Sequence, residues 1–118
     1  MGKKNQRIFP IPPWPAVVEV HGRKPKGIEG GQDFNGLTWT EPNDELHINI
    51  WVQPKLAKGP QGESQEQRVE RMRELLGVVV HECVHVKQFL ERAVETRLDA
   101  ETEAYLVQLL VTNVLALI

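Results

Sequence analysis

Proline and glycine are spread so unevenly along this chain that they divide it in two. All 8 prolines and all but one of the 9 glycines fall before residue 63 of 118. From residue 65 to 117 the only glycine is Gly77, and no proline occurs. Proline inside a helix removes a donor and clashes with the preceding turn, and glycine there gives up too much backbone freedom. The first half is thereby confined to short strands and loops, while the second is free to be helical. An α+β domain follows: a small, mostly antiparallel sheet, then helices.

The apolar pattern agrees with that division. Val69, Met72, Leu75, Leu76, Val79, Val80, Val86, Phe89 and Leu90 recur at three- and four-residue spacing and predict a helix from 65 to about 93. A second should run from about 97 to near the end, with Thr96 as N-cap and Asp99 three residues on. In the first half, residues 1–15 carry Lys3, Lys4 and Arg7, then Pro10, Pro12, Pro13 and Pro15, and read as an extended, proline-rich arm. Phe9 and Trp14 would let that arm lie on an apolar surface. Residues 16–118 form one domain. Residues 16–20 (AVVEV) read as a strand, 22–36 as a glycine-rich loop, and 37–40 with 45–52 as a hairpin across Pro42, Asn43 and Asp44. The strand 45–52 is the expected sheet edge beside a cleft, where an extended peptide could add.

Composition excludes several classes. A net charge of −2 and a content of 25% charged and 41% apolar residues describe an ordinary domain, with no electrostatic reason to bind nucleic acid. No apolar run is long enough for a membrane span, and the basic start meets prolines rather than a signal-peptide core. A single cysteine, Cys83, excludes an internal disulfide and fits a reducing cytoplasm.

In the middle of the first helix stands His81-Glu82-Cys83-Val84-His85, an H-E-x-x-H. Residues four apart share a helix face, so two imidazoles can meet one zinc ion while a fourth position stays open for water. Glu82, roughly 100° further round, is placed beside the ion as general base. Chance would produce this pattern in about one chain in seventy of this composition. Two satisfied core histidines are the bland alternative. Cys83 points away from both and reads as a small buried hydrophobe.

HECVH followed by an acidic helix with Glu103-Ala104 resembles the gluzincin branch of zinc metallopeptidases, and residues 81–108 also resemble small phage-encoded HExxH proteins. The resemblance implies a zincin-like fold with one Zn²⁺ per chain, held by His81, His85 and Glu103. It implies Glu82 as catalytic base, taking the proton of a zinc-bound water that attacks a peptide bond. Helical spacing puts Glu103, rather than Glu101, on the core-facing stripe with Leu106, Leu110 and Val114, and Asp99 where it could support a ligand. For an oxyanion partner only Tyr105 and His47 offer themselves. Metzincins are excluded, because no H-x-x-G-x-x-H follows. The alternative is a zinc-binding structural or interaction module, such as a virion or assembly component, without turnover. A metal-free helical partner-binding protein is the third possibility. Partners would be a peptide or protein substrate, or an assembly held through the proline-rich arm or the apolar C-terminal helix. The setting would be cytoplasm or virion.

Overall fold

The computed structural model describes residues 6–25 and 35–117. The first residues of the arm and most of the glycine-rich loop lie outside them. The strands are β1 Gln6–Pro10, β2 Val17–His21, β3 Gly36–Glu41 and β4 Asp44–Val52. A single 3-10 turn, Pro54–Leu56, leads to the helices α1 Gln65–Val94 and α2 Ala100–Leu117. The sheet order is β1-β2-β4-β3. β1 with β2 and β3 with β4 are antiparallel, while β2 and β4 run parallel. The described residues thus form a small α+β domain with one four-stranded sheet and two helices.

One expectation is corrected by this topology. β4 is central, and β3 is the edge beside α1. The reason is visible along β4, where Ile48 to Val52 are all buried, a burial that an edge strand does not reach. The proline-rich stretch also contributes a strand: β1 pairs with β2, and Phe9 and Ile11 enter the core. Its prolines sit at the end of β1 and in the turn beyond, where missing donors cost no ladder bond.

Both helices cover one face of the sheet. Val18, Val20, Ile48, Ile50 and Val52 alternate toward them and meet Leu75, Val79, Val86 and Leu90 of α1 and Leu106, Leu110 and Val114 of α2. α1 lies along β4 and β3, and α2 crosses toward β1, where Arg7 Nε donates to Asn113 Oδ1 at 2.9 Å. Each such buried side chain contributes roughly 1.5–3 kcal/mol. Among the described residues no helix is long and apolar enough to cross a membrane.

Local wiring fixes the ends of α1. Ser64 and Gln67 form a reciprocal capping box. Arg71 grips Glu63 at 2.8 Å and the Leu56 carbonyl at 2.7 Å, tying the preceding loop to the first turns. Its guanidinium holds the Glu63 carboxyl below the usual range. At the far end Glu95 turns the chain in the left-handed region, φ 53°. The expected cap, Thr96, does not start α2; its hydroxyl donates to the Val94 carbonyl. Asp99 is the cap, accepting from the Thr102 amide at 2.8 Å, and that bond lowers its pKa. An acidic side chain is a better acceptor here because the helix N-terminus presents positive charge.

Candidate metal centre

The motif occupies the middle of α1, on the side turned to β3. His81 Nε2 and His85 Nε2 converge to 3.1 Å, their rings edge to face. Two imidazole nitrogens on one tetrahedral zinc, each at about 2.0–2.1 Å, stand roughly 3.3–3.4 Å apart. The pair is therefore already at near-bridging separation. His85 Nδ1 lies 2.9 Å from Gln88 Oε1. An amide oxygen only accepts, so Nδ1 carries the hydrogen and Nε2 keeps its lone pair, the tautomer a metal ligand requires. Gln88 was legible in principle, three residues after His85 on the same face.

Glu82 behaves differently from its neighbours. It is 5% exposed, and the Thr38 hydroxyl of β3 donates to its Oε1 at 2.7 Å. The backbone of β3 comes very close here: a Cβ on Gly36 would lie 2.8 Å from Glu82 Cγ and 2.9 Å from its Oε2. Only glycine leaves that room. Asn35, Gly36, Gly77, Val78, His81 and Glu82 line a cleft of about 310 Å³ between the edge strand and the helix. Thr38 and Gly36 carry no sequence signal, because they reach Glu82 across more than forty residues.

Glu103 is not at this cleft. Its Oε2 is 3.0 Å from Lys87 Nζ, which also holds Glu91 at 3.2 Å. Lys87 lies roughly 120° round α1 from His81 and 160° from His85 at 100° per residue. As placed, Glu103 serves the contact between helices, and Asp99 caps α2 rather than backing a ligand. Among the described residues no group of three His, Cys, Asp or Glu side chains is arranged to hold a metal. The two oxyanion candidates are also elsewhere. His47 is on the sheet face away from the helices, 2.8 Å from Glu19, and Tyr105 is 65% exposed on α2. Cys83 is fully buried, and burial with Glu82 nearby pushes its thiol up to about 12, so it is no ready thiolate ligand.

A second polar cluster occupies the sheet face away from the helices. Glu19, 7% exposed, accepts from Gln6 Nε2 and pairs with His47 at 2.8 Å, and His21 sits 3.6 Å away. His21 Nε2 also meets Asn49 Oδ1 at 2.9 Å and packs on Trp39. These groups satisfy one another across β2 and β4, which explains how Glu19 and Asn49 stand buried in a sheet. Compared with models of known families, with curated proteins and with solved structures, the chain matches none.

Proposed function

We propose that this domain is a zinc-dependent peptidase of zincin-like fold, with His81 and His85 holding the ion and Glu82 as general base. The observation that supports it most is the convergence of the two Nε2 atoms at 3.1 Å, with His81 and Glu82 both lining the cleft. Zinc bound there supplies Lewis acidity, which polarises a carbonyl and acidifies water. The chain's own groups do the rest. Gln88 fixes the His85 tautomer, and Thr38 and Gly36 hold the Glu82 carboxylate at the cleft. Glu82 takes the proton of the attacking water and returns it to the leaving amine. A peptide substrate lies extended against β3, the exposed edge.

The engagement of Glu103 by Lys87 favours a second reading, a zinc-binding interaction module without turnover, for instance in a virion. Metal analysis and a peptide-library assay separate the two. The peptidase reading expects about one zinc per chain, lost in His81→Ala and His85→Ala, and cleavage that vanishes in Glu82→Gln with zinc retained. Zinc-loaded protein that cleaves nothing supports the module, and protein that takes up no zinc sinks both.

A further inference from the structure

The groove between α1 and the edge of β3 is bridged at one end and open at the other. Asn35, just before β3, donates from Nδ2 to Glu74 Oε1 at 3.0 Å. That bond spans strand and helix beside the cleft, which Asn35 also lines. At the far end Thr40 and Glu45 face Phe89, Arg92 and Ala93 around a further depression of about 60 Å³, and among the described residues no hydrogen bond or ion pair crosses it. Given the zinc site proposed above, we propose that Asn35 and Glu74 form a subsite for the free α-ammonium group of a peptide. The enzyme would then be an exopeptidase that releases di- or tripeptides from amino termini.

Helix and strand together set the distance. Glu74 lies two turns before His81, roughly 10.5 Å along the axis, and at about 100° per residue it falls midway in angle between His81 and His85. It is therefore in line with the histidine pair. The Asn35 carbonyl accepts from the Gln53 amide at 2.8 Å, so Asn35, Leu37 and Trp39 turn their backbone groups to β4. The backbone groups of Gly36, Thr38 and Thr40 are left on the free edge, where a peptide can pair. An extended chain advances about 3.3 Å per residue. With its ammonium at Glu74, such a chain brings the carbonyl of its second or third residue to the histidines. It runs parallel to β3, a pairing that slanted, evenly spaced bonds allow.

Charge decides which end of the peptide is held. Arg71 and Arg73, close to Glu74 on α1, are taken by Glu63 at 2.8 Å and Glu70 at 2.9 Å. Among the described residues Glu74 has no ion-pair partner of its own. A carboxylate only accepts, so its bond to Asn35 turns the amide nitrogen toward Glu74 and leaves Asn35 Oδ1 as a second acceptor. Two acceptors and one negative charge suit an ammonium and repel a carboxylate. At the open end stands a cation instead, the Arg92 guanidinium, 5.5 Å from the centre of the Phe89 ring. The rest of the chain leaves there, carboxyl terminus last. An acetylated terminus brings no charge, and a longer chain meets the Asn35–Glu74 bridge as an obstruction.

The test uses the full chain carrying Glu82→Gln, loaded with zinc so that it binds without turnover, and a mixed-sequence peptide library with free or acetylated amino termini. Retention should favour free termini by at least about tenfold. Glu74→Gln in the same background should erase that preference with zinc content unchanged. Asn35→Ala, which removes the bridge, should let acetylated peptides bind. With Glu82 restored, mass spectrometry should find di- and tripeptides released from free amino termini. Equal retention of the two libraries, a preference that survives Glu74→Gln, or internal cleavage of acetylated peptides overturns the ammonium subsite and leaves the zinc reading standing. Retention of neither library by zinc-loaded protein does the same. Protein that takes up no zinc overturns both.

Discussion

On the side of α1 turned to α2, Lys87 meets Glu91 and Glu103 at once, and the Glu91 carboxylate also accepts the Leu98 amide at 2.8 Å. On the side turned to β3, among the described residues, His81 and His85 are hydrogen-bonded to each other and His85 to Gln88. Both sides carry an i, i+4 pair, which is what a helix offers for holding one charge between two groups. What each opposing element brings makes the difference. α2 brings a carboxylate, so the lysine is neutralised and the turn between the helices is locked. β3 brings a glycine and a hydroxyl, which leave space and orient Glu82 without occupying the imidazoles. A closed clamp and an open site stand on one helix, separated by less than two turns of sequence.

The largest effect expected is chemical, and it belongs to the open side. Glu82→Gln removes the proton acceptor but keeps the shape and the Thr38 hydrogen bond. Peptide cleavage should fall about 10²–10⁴-fold with zinc content unchanged. The same measurement on Lys87→Met should show cleavage within about twofold of wild type, far short of any general-base loss. Equal losses in the two variants would mean that the sides are not functionally distinct.

Next in size is the support beneath Glu82. Thr38→Val keeps the β-branched shape that suits an edge strand and deletes the donor, leaving a buried carboxylate short of a partner. Unfolding by denaturant should show a loss of about 1–3 kcal/mol, and Thr38→Ser should restore most of it. If Val and Ser behave alike, the hydroxyl does not hold Glu82. Gly36→Ala tests the same contact by crowding. Its added methyl meets both Glu82 and Val78 side chains, so it should lower cleavage even where stability survives.

How much of this could be read in advance follows from the range of each interaction. The hairpin, the two helices and the His81/His85 pair rest on short-range periodicity and were legible. The order of strands was not, because β4 shows the same alternation whether it pairs on one side or two. Only its parallel pairing with β2 makes it central and hands the edge to β3. The helical stripe correctly put Glu103 on the side of α2 that meets α1, but not which side of α1 it would meet. That depends on the crossing of α2 toward β1, set by Leu106, Leu110 and Val114 packing on the sheet's shared core. Thr96 looked a fair cap by residue type, yet it is bonded back to Val94, and the start of α2 moved three residues on to Asp99.

Among these tests the smallest stability effect, and the sharpest discrimination, comes from Glu103. If the clamp is its role, Glu103→Gln leaves zinc affinity where it was and costs the helix contact a few degrees of Tm at most, because partly exposed pairs are screened by water and salt. Glu91 should then share the acid limb of stability with Glu63 and Asp99, its folded pKa being lowered chiefly by the Leu98 amide and further by Lys87. A carboxyl lowered on folding lends stability above its ordinary value of 4.5 and loses it as pH falls through the lowered folded value. Thermal melts should therefore drop on acidification below about 4.5, and Glu91→Gln should flatten that drop while leaving zinc binding intact. A steep fall in zinc affinity in Glu103→Gln, matching His81→Ala, would instead make Glu103 a ligand. It would require α2 to pass on the histidine side of α1, with Lys87 left facing solvent.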